Sequence, residues 1–274
     1  MIKSENLTVV NDGNLQYICF PKLCECGCAR HIFSTRHGGV SKGEFSSMNL
    51  SFNRGDSREN VLENYRILCS AVGIDVNNLV LSRQTHTNNV LTVTKEHCGV
   101  GITKQSFNDV DGLITNEPGV ALVTQYADCT PLLFCDPVNK VIATSHAGWR
   151  GTVQLIGKVT VEKMREEFGC DPKNIIAGIG PCILDCCYEV DEPVYKEFLK
   201  IPFIDPKKIF TYKQNGRYML NLAEANRLIL LEAGIIPEHI DITDICTCCS
   251  HEDLHSHRAT GGKRGNLAAV IELI

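Results

Sequence analysis

The 274-residue chain lacks most of the features that would settle its class at once. No apolar run approaches the roughly 18 residues of a membrane-crossing helix, so no membrane association is expected. The opening stretch, Met1 to Phe20, alternates and carries charge, so it reads as the start of a strand and not as a secretion signal. The cytoplasm is the expected compartment. Basic residues (27) do not outnumber acidic ones (32), and a net charge of −5 leaves no electrostatic footprint for nucleic acid. Internal repeats, low-complexity tracts and Pro/Ser-rich linkers are also missing, so nothing marks a domain boundary. What remains, 43% hydrophobic and 22% charged, is the composition of an ordinary soluble enzyme. Its length suits one large domain or two small ones.

Cysteine is the one residue in excess. Fifteen of them, odd in number and irregular in spacing, favour free thiols with a few serving as ligands over a disulfide framework. Cys24, Cys26 and Cys28 look like half a metal site, as do Cys246, Cys248 and Cys249. Neither group shows the paired C-x-x-C spacing of a zinc ribbon.

Periodicity predicts a mixture of strands and helices. A helix opens at Asp56 to Asn60 and carries Val61, Leu62, Tyr65, Leu68 and Val72 as its apolar stripe. Strands are predicted at Leu79–Ser82, Gly112–Thr115, Ala121–Gln125, Pro131–Cys135, Val141–Ser145, Ile175–Ile179 and Ala268–Leu273. One long helix is predicted over Gly151–Phe168, ended by Gly169, and two more over Pro193–Leu199 and Leu222–Ala233. Without strict βαβ alternation, the pattern argues for α+β over a doubly wound sheet.

The most informative stretch runs from Asp109 to Thr152. Asp136-Pro137-Val138-Asn139 reads as a hairpin turn between two apolar runs. Folding about it sets Cys135 against Lys140 and, further out, Cys129 against His146. Opposed residues share one face with Cβ atoms roughly 5 Å apart, a gap that zinc–thiolate and zinc–imidazole bonds of about 2.3 and 2.0 Å can bridge. Pro131 is expected to bend or end the strand, and a bulge there would shift the register. The same residues also fit an inert buried cysteine beside a hydrogen-bonded core histidine.

His86, at the exit of an apolar strand, would complete a His, Cys, His set. Three protein ligands with one open position is the arrangement of a catalytic zinc. Asp128, directly before Cys129, could orient a ligand or act as an acid or base. In His146-Ala147-Gly148-Trp149-Arg150-Gly151-Thr152, small residues lead into a helix start, which suits an anion, with Arg150 adding a charge-assisted bond. Arg36, beside Gly38 and Gly39, has the same reading, and a surface turn fits both arginines equally well.

Several familiar chemistries fail. Pro181-Cys182-Ile183-Leu184-Asp185-Cys186 has one residue too many for the P-C-x-x-C of zinc nucleobase deaminases, and no H-x-E precedes it. There is no G-x-S-x-G elbow. A multicopper oxidase would need many paired histidines, and His255-Ser256-His257 is the only H-x-H among nine. Imidazole and thiolate bind copper as well as zinc, so the metal stays open.

Taken in order, several blocks are similar to the YfiH-like laccase-domain family, long labelled polyphenol oxidoreductase and now regarded as purine nucleoside phosphorylases. They are Phe33 to Ser41, Ser47-Met48-Asn49-Leu50, Gln84-Thr85-His86, Asp111-Gly112-Leu113, Ala127-Asp128-Cys129, His146 to Gly151, Gly180-Pro181-Cys182, Cys187 to Val190, Cys246-Thr247 and Ser256-His257-Arg258. The resemblance covers nearly the whole chain. It implies a single α+β domain over 1–274, a layered sandwich with β-sheets inside and helices outside. It implies His86, Cys129 and His146 as zinc ligands. It further implies phosphorolysis of adenosine, inosine, guanosine or 5′-methylthioadenosine, with adenosine deamination in some members. Purine nucleosides and phosphate would be the partners, bound by a monomer or small homo-oligomer. Residue chemistry nominates Asp128, Cys129 and Arg150 as catalytic and Arg36, Asn49 and Arg150 as substrate- or phosphate-binding. The chain departs from the family at Asn221-Leu222, where an Asp-Leu pair is usual, at Ser256-His257-Arg258-Ala259, and at Gly265-Asn266. Other readings are a hydrolase with Cys129 as nucleophile or with zinc assistance, a copper-loaded polyphenol oxidoreductase, and a metal- or partner-binding protein without turnover.

Overall fold

Apolar residues that alternate between two directions, each met by a different layer, organise the computed structural model, which describes residues 2–274. Fifteen strands run in chain order. The first eight are β1 (Thr8–Asp12), β2 (Leu15–Cys19), β3 (Ala29–Ser34), β4 (Leu79–Leu81), β5 (Val90–Thr92), β6 (Gly112–Thr115), β7 (Ala121–Tyr126) and β8 (Thr130–Asp136). The others are β9 (Val141–Ala147), β10 (Ile176–Ile179), β11 (Glu189–Asp191), β12 (Phe210–Lys213), β13 (Arg217–Leu220), β14 (Ile240–Ile242) and β15 (Leu267–Leu273). The helices are α1 (Pro21–Glu25), α2 (Arg58–Ser70), α3 (Trp149–Val153), α4 (Ile156–Phe168), α5 (Glu192–Phe198), α6 (Pro206–Ile209), α7 (Leu222–Glu232) and α8 (His257–Thr260). None of them is long and apolar enough to cross a membrane.

Two six-stranded sheets, ordered β1-β2-β3-β15-β7-β4 and β14-β10-β8-β9-β6-β5, stack face to face. Along β7, Leu122 and Tyr126 enter the core between the sheets, while Ala121 and Val123 face α2. Along β8, Leu133 and Cys135 point inward, and Leu132 and Phe134 meet the side chains of α4. Strands buried on both faces read as continuous apolar runs, which is why these were the easiest to find in the sequence. The layers are therefore helix, sheet, sheet, helix, the α+β sandwich expected. A small third sheet, β11-β13-β12, packs with α5 and α7 on one flank. The fifteen cysteines are all free thiols.

Two expectations need correction. The predicted helix over Gly151–Phe168 is two helices, broken where Leu155 takes a left-handed backbone (φ 59°). That turn swings the Leu155 side chain into the apolar cluster under the third sheet, beside Trp149 and Val153. The β8–β9 hairpin is also shifted: Asp136 pairs with Val141, so His146 lies opposite Pro131 and not opposite Cys129. The turn sits one residue later than expected because the Asp136 carboxylate accepts the N–H groups of Val138 and Asn139, and Lys140 supplies the left-handed residue (φ 54°). Pro131 remains in the strand, beyond the last residue of β8 that β10 pairs.

Candidate metal centre and its cavity

One end of the sandwich gathers the chemistry. β4 and β7 are parallel, so their C-terminal ends lie together. Strand β9 ends beside the start of β8, and β6 starts beside the end of β9. His86 follows β4, Cys129 joins β7 to β8 across the two sheets, His146 is near the end of β9, and Asp111 directly precedes β6.

The hairpin shift of two residues keeps Cys129 and His146 on one face, because only an odd shift exchanges faces. The three residues 127–129 then carry the chain from one sheet to the other. Asp128 adopts φ 87° there, a conformation non-glycine residues reach only when the surroundings hold them. The hold is visible: the Asp128 carboxylate accepts the Thr247 hydroxyl (2.7 Å) and the Arg258 N–H (2.6 Å), and its carbonyl accepts the Ile183 N–H (2.9 Å). Both carboxylate oxygens of Asp128 are thus engaged in holding the turn that precedes Cys129.

Ligand atoms of His86, Cys129 and His146 all lie within 4.8 Å of one another, and His86 Nε2 is 4.0 Å from Cys129 Sγ. Zinc–sulfur and zinc–nitrogen bonds sum to about 4.3 Å, so one ion can touch both atoms. The donor set of one thiolate and two imidazoles suits zinc or copper. His146 is buried and His86 exposed, so the group has an inner wall and an open side.

Asp111 is the residue that sequence reasoning missed. Wholly buried, it bonds His146 Nδ1 at 2.8 Å through Oδ1, which also accepts the His86 N–H. Its Oδ2 accepts the N–H groups of Thr85 and Thr87 and the Thr87 hydroxyl. A single carboxylate thus bonds Nδ1 of one candidate ligand, leaving Nε2 for an ion, and fixes the backbone of the loop bearing another. That backbone needs fixing, because His86 sits at φ 68°. Burial pushes Asp111 up, yet the His146 bond and the Thr87 N–H bring it down to about 2. Burial likewise raises the Cys129 thiol, and the adjacent His146 charge with both imidazole hydrogen bonds lowers it to about 6. Burial depresses His146, but the Cys129 charge and the Asp111 bond lift it to about 9. Both shifts favour the thiolate–imidazolium form of the pair, which exchanges a proton for a metal on binding.

Gly148 closes the group from above. A Cβ there would lie 3.0 Å from both Cys129 Sγ and His86 Cδ2 and 3.8 Å from His146 Cε1. Gly148→Ala is therefore expected to weaken metal binding by at least about tenfold while leaving the fold intact, since a displacement of a few tenths of an ångström spoils ligation. Competition with a chromophoric chelator measures it, and an unchanged affinity would show that the three ligands have slack.

Above the triad lies a cavity of about 1360 Å³. Six arginines (Arg54, Arg58, Arg83, Arg150, Arg258, Arg264) and Lys104 line it, against one acid, the already engaged Asp128. This is a concentrated positive field in a chain of net charge −5. Arg150 stacks 4.2 Å over the Trp149 ring with its guanidinium otherwise unpaired among the described residues. Arg264 is 7% exposed and its Nε has no partner among the described residues. Burial and the neighbouring Arg54 charge pull it down to about 10. Its sequence neighbourhood gave no signal, because the cluster is assembled from four distant segments.

Two nominated binding residues lie elsewhere. Arg36 lines a separate small hollow, and its guanidinium donates to the carbonyls of Ser46 and His251 (2.8 Å each). Asn49 is fully buried behind the cavity, where it accepts the N–H groups of Ser51 and Asn266 and donates to Asp56. The polar groups of both are taken up within the protein. Of the departures from the family pattern, Asn221 caps α7 by accepting the Glu224 N–H, a task asparagine and aspartate share. His257 and Asn266 stand in the cavity wall with Arg264.

A family model described as multi-copper polyphenol oxidoreductase laccase matches residues 30–274. The purine nucleoside phosphorylase YlmD of Bacillus subtilis is 35% identical over 241 residues, 87% of this chain and 86% of that one. The adenosine deaminase RL5, from an unknown prokaryotic organism, is 33% identical over 236 residues, 85% of this chain and 90% of that one. The crystal structure of the hypothetical protein YfiH from Bacillus licheniformis superposes with a TM-score of 0.92 at 30% identity, covering 97% of this chain and 99% of that one. Matched from residue 30 to its last residue, and superposing on YfiH along nearly all its length, the chain belongs to the multi-copper polyphenol oxidoreductase laccase family.

Proposed function

We propose that this protein is a zinc-dependent purine nucleoside phosphorylase, with adenosine deamination as a secondary activity of the same centre. The observation that carries the reading is a thiolate–bis-imidazole triad at the base of a cationic cavity in an otherwise acidic chain. A nucleoside and inorganic phosphate need a pocket with room for both, aromatic surface for a base and cations for the anion. Phe52, Trp149 and Tyr188 supply the surface, and the arginines supply the charge. Relatives named purine nucleoside phosphorylase and adenosine deaminase support the same class of substrate. Zinc is favoured over a multicopper centre because this is the only candidate metal cluster with two histidines among the described residues.

In phosphorolysis a phosphate oxygen bonds to C1′ as the bond from C1′ to the purine nitrogen breaks, and positive charge gathers on the ribose. Arg150, stacked on Trp149, and the buried Arg264 would bind the phosphate and keep it against the sugar. When bound, zinc supplies a Lewis acid, or a water acidified towards neutrality. Asp111 and Asp128 would hold its ligands in place.

Product analysis tests the reading. Adenosine with the purified protein is expected to give adenine and ribose 1-phosphate only when phosphate is present. Inosine formed regardless of phosphate would transfer the main activity to deamination. No product from adenosine, inosine, guanosine or 5′-methylthioadenosine with folded, zinc-loaded protein would sink the proposal.

A further inference from the structure

We propose a second metal centre, a structural zinc held by the four thiolates of Cys186, Cys187, Cys246 and Cys249. It is independent of whatever the first centre catalyses. Strands β10 and β14 are parallel, so the segments leaving them run side by side, with the backbones of Cys182 and Cys246 paired through the Thr247 N–H to Cys182 carbonyl bond (2.9 Å). One segment brings the adjacent Cys186 and Cys187, and the other brings Cys246-x-x-Cys249.

The sulfurs converge on one point. Cys249 Sγ lies 3.5 Å from Cys186 Sγ and 3.4 Å from Cys187 Sγ, and all four are within 4.8 Å of one another. Zinc–sulfur bonds of about 2.3 Å set the edges of a tetrahedron near 3.8 Å, in the middle of that range. Four thiolates satisfy zinc completely, which is the closed coordination of a structural site. The buried Cys246 sulfur also accepts the Leu184 N–H at 3.4 Å, a bond that orients it towards the other three. The other thiol group, Cys19, Cys24 and His31, is a poorer candidate, because His31 Nε2 already accepts the Phe20 N–H (2.9 Å).

The placement explains the purpose. The segments tied together are those that grip Asp128, through the Ile183 N–H and the Thr247 hydroxyl. Arg258, whose N–H also bonds Asp128, donates its guanidinium to the Cys187 carbonyl (3.0 Å). A zinc at the four thiols would fix the frame that holds Asp128 left-handed and therefore aims Cys129.

Zinc counting tests it. After saturation with zinc under reducing conditions and removal of excess, the wild type is expected to hold two ions per chain. Cys129→Ala and the double variant Cys186→Ser/Cys249→Ser should each hold one. Cobalt gives a check that does not depend on the double variant folding: cobalt-loaded Cys129→Ala should keep about four-fifths of the thiolate-to-cobalt absorption, four of five sulfurs. One ion in the wild type and none in Cys129→Ala would overturn the proposal. So would cobalt–thiolate absorption that vanishes with Cys129, or an intact mass two hydrogens lower with no second metal, the mark of a disulfide.

Discussion

Cys129→Ala is expected to lose more than about 100-fold in activity and to lose the ion of the His86/Cys129/His146 centre. Residues that only support a ligand cost 10–100-fold when removed, and a direct ligand is expected to exceed them. The two remaining imidazoles lie against a cavity dense in positive charge and have no thiolate to offset the cation. The fold should survive, since the thiol is only half-buried and alanine keeps the backbone of the sheet crossing. Comparison of zinc content, melting temperature and turnover separates loss of the centre from loss of structure. Alkylation of the wild type adds a second readout. With its pKa near 6, the Cys129 thiolate of metal-free protein should react quickly at neutral pH, and in zinc-loaded protein it should resist until a chelator is added. Rapid alkylation of fully zinc-loaded, active protein would hand the reaction to Cys129 as a nucleophile and support the hydrolase reading.

The parts of this structure legible in the sequence are those fixed by short-range pattern. Gly112–Thr115 is found to the residue, and Ala121, Val141 and Leu222 start their elements where apolar periodicity placed them. The hairpin shift was not legible, because one residue's difference in the turn depends on which groups Asp136 caps. Cys129 and His146 stayed partners only because the resulting shift was even. The break at Leu155 was hidden because its sequence continues a good helical stripe, and the reason to break lies in a cluster built by α5, β13 and α7. His86 comes from the end of β4 and His146 from β9 in the other sheet, a convergence no periodicity encodes. The charge of the cavity was masked in the same way, since a net −5 averages acidic surface against arginines drawn together from positions 54, 83, 150 and 264. The four-thiol cluster shows the same limit: Cys186-Cys187 and Cys246-x-x-Cys249 are unremarkable apart, and the parallel pairing of β10 with β14 makes them neighbours.

Asp111→Asn is expected to damage both the fold and the centre, although it changes one oxygen to nitrogen and adds no bulk. The carboxylate faces three backbone N–H groups, the ring N–H of His146 and the Thr87 hydroxyl, which it shares with Asp109. Oδ1 meets His146 Nδ1 and the His86 N–H, and Oδ2 meets the N–H groups of Thr85 and Thr87 and the Thr87 hydroxyl. An asparagine must turn its own NH2 towards one of these sets. Facing the loop, it opposes the N–H groups of Thr85 and Thr87 and loosens the backbone on either side of His86. Facing His146, it opposes the ring proton and favours the tautomer that protonates Nε2, the nitrogen needed by the ion. Either way buried donors lose their acceptor and the imidazolium loses its counter-charge. Breaking a buried pair from one side costs about 3–5 kcal/mol, so denaturant unfolding of the metal-free variant should show a loss of that order. Metal affinity should fall by about 10–100-fold in the same protein. Asp128→Asn provides the contrast, because an amide oxygen there can still accept one of its two side-chain bonds and no imidazole depends on it. Its loss of metal affinity should be the smaller. Equal losses in the two variants would mean that Asp111 contributes only as one more structural acceptor, and that the orientation of the ligands is set elsewhere.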